Sequence, residues 1–147
     1  MIIPQLAISL IKKYEGFSER VYLCPAGLKT IGYGHVIQKN EQLPLIIDIQ
    51  YAEQLLLNDI SKSVKAIAAL ISVPLTINQI ASLISFTFNL GCGALERSTL
   101  RQKLNRNEYL EAADEFTKWV YIGSTKIQGL VNRRSEERRI FIGWNNI

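Results

Sequence analysis

YEGFSERVYLCPAGLKTIGYGH, residues 14–35, decides the reading of this 147-residue chain. It opens with an acid, Glu15, placed just before Gly16, a residue suited to stop a helix. Eight residues separate Glu15 from Cys24, and five separate Cys24 from Thr30. Between them stand the turn formers Pro25, Gly27, Gly32 and Gly34 and the strand formers Val21, Tyr22, Ile31 and Tyr33. The expected local structure is a helix end followed by two or three short strands over 18–37. Such an arrangement hangs three polar side chains over one groove. A carboxylic acid, a group that holds or deprotonates water and a hydroxyl that orients it are the parts a glycosidase needs.

Towards the N-terminus, Pro4 suits a first helical turn, and Leu6, Leu10, Ile11 and Tyr14 recur at helical spacing, which predicts a helix over 4–15. In the other direction, 40–44 reads as a loop and 50–71, free of Gly and Pro, as one long helix ended by Pro74. Thr76 and Gln79 have the spacing of a capping box. They open INQIASLISFTFNL (77–90), apolar nearly all round and therefore expected at a buried centre. Ser98 is predicted to cap a short helix to about Asn105, and Asn107 another through Trp119. A loop over 121–129 leads to a basic final helix, LVNRRSEERRIFIGW (130–144).

Hydrophobic residues make up 48% and charged residues 20%, with a formal net charge of +4. That balance belongs to a globular chain and excludes a disordered one; the modest positive charge suits a polyanionic partner without requiring one. Two cysteines, Cys24 and Cys92, neither build a disulfide framework nor have zinc-site spacing, so no metal and no cofactor is expected. The apolar start, MIIPQLAISLIKKYEGF, is interrupted by Pro4 and Gln5, preceded by no basic residue and followed by no small-residue cleavage site. It is expected to be an amphipathic helix and not a signal or stable membrane anchor.

Glu15 is the expected general acid. A helix C-terminus carries partial negative charge and the neighbouring Tyr14 and Phe17 desolvate, and both effects act to keep a proton on the carboxyl. Cys24 is less typical. Inverting glycosidases place a second carboxylate about 6.5–9.5 Å from the acid with a water between, whereas a thiol is a weak base unless its pKa is lowered, or acts as a nucleophile. Taken alone, Cys24 reads as a structural cysteine and Thr30 as an ordinary strand residue. His35, the only histidine, is expected to be a structural hydrogen-bonder, with Asp59 on the long helix as candidate partner. Arg133, Arg134, Arg138 and Arg139 form either a solvated face or a cationic group that holds Glu15 or an acidic part of a substrate. Phe88 and Asn89 offer an apolar platform and an amide to a sugar.

Together these residues resemble the phage-type lysozymes, glycoside hydrolase family twenty-four, in its lambdoid endolysin branch. The family pattern is Glu, eight residues, Asp or Cys, five residues, Thr, matched by Glu15, Cys24 and Thr30. LKTIGYGH (28–35), INQIASLISFTFNLG (77–91), STLRQKLN (98–105) and GLVNRR (129–134) with Glu137 complete the resemblance. It implies an α+β, mainly helical, two-lobed lysozyme fold, with a small β-sheet in the N-terminal lobe and a long helix linking to a helical C-terminal lobe. The expected division is a small lobe over 14–49, a connecting helix over 50–71, and a helical lobe of 72–147 joined by 1–13. The implied activity is hydrolysis of the β-1,4 bond from N-acetylmuramic acid to N-acetylglucosamine in peptidoglycan glycan strands, which lyses the host cell. By the same resemblance Glu15 donates the proton, Cys24 and Thr30 position or activate water, and His35 with Asp59 is a structural ion pair; on the reading of the residues themselves, Arg133 and Arg134 join Phe88 and Asn89 as candidate substrate contacts. A monomer is expected, held in the host cytoplasm until a holin releases it and then acting in the periplasm.

Three other functions compete. A lytic transglycosylase cleaves the same bond without water and needs only the acid. A catalytically idle wall-binding domain would keep the fold alone. A nucleic-acid binder is suggested by the basic last helix, but no recognition motif accompanies it.

Overall fold

The computed structural model describes residues 2–143. Helix α1 (Gln5–Glu15) starts after an extended Pro4 and turns Ala7, Leu10 and Ile11 inward. Strands β1 (Ser18–Leu23), β2 (Lys29–Gly32) and β3 (His35–Val36) follow as an antiparallel sheet in that order. Helix α2 (Ile49–Leu70) is capped by Asp48, whose carboxylate accepts from the Tyr51 amide. Its early residue Ala52 belongs to a small core with Ile31 and Ile47 under the sheet, while Leu56, Ile60 and Ile67 belong to the main core. One 22-residue helix therefore joins two hydrophobic clusters, as a spine must.

Helix α3 (Ile77–Leu90) begins with the complete Thr76–Gln79 capping box, and every residue from Ala81 to Thr87 is buried. An all-round apolar helix is stable only when packed on all sides, and α1 and α2 pack against it. Helices α4 (Cys92–Arg97), α5 (Thr99–Asn105) and α6 (Tyr109–Glu115), a 3₁₀ turn at Phe116–Lys118 and a hairpin of β4 (Tyr121–Ile122) and β5 (Thr125–Lys126) lead to helix α7 (Gln128–Phe141), which also lies on α3. Phe86 meets Phe116 and Trp119 edge-on at centroid distances of 5.4 and 5.6 Å, a favoured aromatic geometry.

The helical pattern, the three-stranded sheet and the α+β class are as expected; four local features differ. Asn107 sits at φ 62° in the turn just beyond α5, and Glu108 takes the capping position before α6; asparagine tolerates this conformation better than most residues. The helix expected through Trp119 breaks into the 3₁₀ turn at Phe116. The loop expected over 121–129 contains the hairpin, and α7 starts at Gln128. Helix α4 was not anticipated, and the expected helix end at Trp144 lies outside the described residues.

Candidate active site

Glu15 is the last residue of α1. Gly16 ends the helix at φ 65° while its amide still donates to the Lys12 carbonyl at 3.0 Å, a backbone state that glycine adopts without strain. The carboxyl lies against the turn before β3. A Cβ on Gly34, itself at φ 75°, would stand 2.7 Å from Glu15 Oε2. A side chain there would push the carboxyl aside, so glycine suits position 34 both by its dihedral and by the acid it faces.

Cys24 follows β1, and its amide donates to the Leu28 carbonyl at 2.9 Å, closing the turn that carries Pro25 and Gly27. Thr30 lies on β2, almost fully buried, opposite Tyr22 of β1, and its hydroxyl donates to the Leu28 carbonyl at 2.9 Å. The β1–β2 register is irregular between Ser18 and Tyr22; an irregularity of this kind re-aims side chains at a strand end. Burial pushes the Cys24 thiol up, but the backbone groups of Leu28 and Ala26 and the Thr30 hydroxyl outweigh it, and the thiol titrates below its ordinary value. Hydrogen bonds to the thiolate favour the charged form. Tyr22 reports the same neighbourhood: burial, then the negative charges of Glu15 and Cys24, push its hydroxyl up. In the sequence Tyr22 is only a strand former; its pairing with Thr30 across β1 and β2 is what brings it to the site.

Glu15, Cys24 and Thr30 share one groove of about 290 Å³ with Phe88, Asn89 and the hairpin residues Tyr121 and Ile122. Asn89 Oδ1 is buried there without a protein partner. Tyr121 is exposed and was not singled out by the sequence, because its segment read as a loop.

Of the arginines on α7, Arg133 reaches Glu15, its Nη1 donating to Oε1 at 2.7 Å. Its Nε donates to Ser85 Oγ at 3.2 Å and its Nη2 to the Ser85 carbonyl at 3.3 Å. Arg134 corrects the expectation that both arginines meet substrate. It is fully buried, sits over the Phe86 ring at 5.3 Å, and pairs with Glu137 at 2.6 and 3.0 Å. A side chain with no exposed surface does not touch a glycan. Arg138 pairs with Asp114 on the surface at 2.9 Å.

His35 donates to Asp59 on α2, Nδ1 to Oδ2 at 2.7 Å, and its Nε2 lies 3.0 Å from both carboxylate oxygens of Glu41. The Asp59 hydrogen bond, opposed by burial and aided by Glu41, raises the histidine above its ordinary value. A cationic imidazole with both nitrogens donating ties sheet, loop and spine together. Glu41 was not anticipated as its second partner. Cys24 and Cys92 are both free. Among the described residues no group of three or more His, Cys, Asp or Glu side chains is placed to hold a metal ion, and no helix is long and apolar enough to cross a membrane.

This geometry has relatives. The family model described as phage lysozyme matches residues 12–137. The chain is 40% identical over 144 residues to the endolysin of Bacillus phage B103, covering 97% of this chain and 54% of that one, so it spans about half the length of that relative. It is 39% identical over 145 residues to the endolysin of Acyrthosiphon pisum secondary endosymbiont phage 1, covering 96% of this chain and 98% of that one. Among solved structures, a P22 lysozyme superposes with a TM-score of 0.82 at 32% identity, covering 97% of this chain and 99% of the other. A family match over most of the length, with the fold and groove described above, settles the assignment: the chain belongs to the phage lysozyme family.

Proposed function

We propose that the protein is a muramidase that hydrolyses the β-1,4 bond between N-acetylmuramic acid and N-acetylglucosamine in peptidoglycan, as an endolysin. The observation that carries this reading is the meeting of Glu15, Cys24 and Thr30 in one groove between the sheet and the C-terminal helices. Glu15 gives its proton to the glycosidic oxygen as the bond to the sugar carbon breaks. The guanidinium of Arg133 stabilises the carboxylate that this leaves behind. Cys24 and Thr30 hold the attacking water. Its oxygen bonds to the sugar carbon, and the proton it loses passes to the sulfur, whose lowered titration suits a base better than an ordinary thiol would. Phe88 and Tyr121 supply apolar faces to sugar rings, and Asn89 lines the groove beside them. Arg133 acts through Glu15, not on the substrate.

The protein works as a monomer, waits in the host cytoplasm, and reaches the cell wall in the periplasm when a holin opens the inner membrane. The test is the clearing of outer-membrane-stripped Gram-negative cells by the wild type and by Glu15→Gln, with the soluble products weighed. Clearing by the wild type alone, with products one water heavier, supports the hydrolase. Anhydro products would make the protein a transglycosylase, and no clearing by folded wild type would leave a wall-binding domain.

A further inference from the structure

Behind Glu15 the structure buries two positive groups and one negative group. Arg133, Arg134 and Glu137 are each at most 3% exposed, and Glu15 closes the set at the groove. The order of contact is unequal. Glu137 is 2.6 Å from Arg134 Nε and 3.5 Å from Arg133 Nε, while Arg133 Nη1 is 2.7 Å from Glu15. Ser85 stands between, donating from Oγ to Glu137 Oε2 at 2.5 Å and accepting from Arg133 Nε. Each arginine thus has its own carboxylate, and α3 contributes polar groups and the Phe86 ring to the cluster but no charge.

We propose that Glu137 is a positioning residue for the reaction: by neutralising Arg134 and anchoring Ser85, it leaves Arg133 to Glu15 and fixes the charge that Glu15 faces as it gives up its proton. The inference rests on Glu15 as the acid. With Glu15 protonated, the cluster carries one excess positive charge; with Glu15 ionised, it is neutral. Proton donation therefore runs from a charged cluster to a balanced one, in a site where burial makes the imbalance costly. Without the Glu137 charge, two uncompensated guanidiniums would face Glu15 and strip its proton at lower pH. Without Arg134, Glu137 would turn to Arg133 and release Glu15 to hold its proton to higher pH. The other titratable groups facing the cluster are Tyr14 on α1, whose hydroxyl is raised by burial and by Glu136 and Glu137, and Tyr22 and Cys24 across the groove. On α7, Glu136 is taken up by Lys13 and Tyr14. Burial pushes Glu137 itself up, against the pull of Arg134, Arg133 and Ser85; with three such donors around it, the carboxylate form is the one the cluster is built for.

The experiment compares pH–rate profiles of cell clearing for wild type, Glu137→Gln, Arg134→Met, the double variant and Ser85→Ala, each checked for folding by near-UV circular dichroism. A unit charge several Å away at an effective dielectric near 20 moves a titration by on the order of one pH unit. The alkaline limb should fall by about one unit in Glu137→Gln, rise by about one in Arg134→Met, and return close to wild type in the double variant. A merely structural role lowers thermal stability without opposite shifts. Where a lone buried charge unfolds a single variant, Ser85→Ala decides: it removes no charge, frees Glu137 to draw Arg133, and should raise the limb by a few tenths of a unit. Limbs that stay in place, or move the same way in both single variants, overturn the inference, as does an unmoved limb in folded Ser85→Ala. Full clearing by Glu15→Gln would instead defeat the assignment of the acid, independently of Glu137.

Discussion

Gly34→Ala is the substitution that most directly tests how the acid is held. Two costs are separable. The first is backbone: Gly34 sits at φ 75°, where an L-residue pays about 1–2 kcal/mol. In a chain of this size that lowers Tm by about 3–6 °C. The second is local: the new Cβ would lie 2.7 Å from Glu15 Oε2 and 2.8 Å from its Cδ, where ordinary contact begins at 3.4 Å. The shortfall, 3.4 − 2.7, is 0.7 Å, and Gly34 is held by its turn while the Glu15 side chain has torsions to give. The carboxyl therefore retreats, out of line with the groove and with its 2.7 Å bond from Arg133. A displacement near 1 Å costs catalysis about a hundredfold, so cell clearing should fall between about tenfold and a hundredfold. Gly143→Ala is the control, because Gly143 has the same φ of 75° and open space around its Cβ. It should lose comparable stability and keep its rate. Full activity in Gly34→Ala, or equal damage from Gly143→Ala, would refute the reasoning.

The His35 clamp predicts a pH-dependent stability. Its folded titration is raised, chiefly by Asp59, so the contribution is complete below the unfolded value near 6.5 and is lost as pH rises through the folded one. The Tm of wild type should decline over that window more steeply than that of His35→Asn; parallel curves would dismiss the clamp. Glu41 gives the opposite arm. Burial raises it, but the Gln38 amide and His35 together lower it, so its contribution is present above about 4.5 and lost as pH falls through the folded value. Glu41→Gln should flatten the acid side of the Tm curve. At the chemical centre, Cys24→Ala should cost about a hundredfold or more in rate and Cys24→Asp less than about tenfold; an alanine variant as fast as wild type would remove Cys24 from the mechanism. Tyr121→Ala should raise KM for a soluble glycan about three- to tenfold with kcat unchanged, as loss of a uniform binding contact does. A fall in kcat alone would place Tyr121 elsewhere in the cycle.

Much of the fold was legible because its signals are local. Thr76 and Gln79 form their capping box within one turn, Gly16 stops α1 by its own dihedral, and α3, uncharged and mostly apolar on every side, leaves no stable position except the centre. Local signals failed where two local rules compete. Asn107 is as good a left-handed terminator as it is a helix cap, and the geometry after α5 selected the first. The hairpin at 121–126 was missed because two-residue strands leave too short a pattern to see.

The site divides along the same line, and its division explains which residues can be read from a motif. Glu15, Cys24 and Thr30 lie in one short stretch, so the turns that separate them also fix their spacing. The groups that make Glu15 usable come from far along the chain. Arg133 is 118 residues from Glu15 and Ser85 is 48 from Arg133. In the sequence the RR–x–x–E run on α7 has the periodicity of a solvated helix face. Only the packing of α7 and α1 on α3 turns that face inward, and a buried face has to satisfy every charge it carries. That necessity explains why Ser82 and Ser85 stand in the largely apolar centre of α3: Ser82 Oγ donates to the Glu137 carbonyl at 2.8 Å, and Ser85 Oγ to its carboxylate. Two serines in a helix this apolar are a local sign that polar groups lie against it. Ser85 holds the counter-charge to the acid, Arg133 on α7, against the buried centre of the molecule, where a fixed guanidinium meets the carboxylate as its proton leaves.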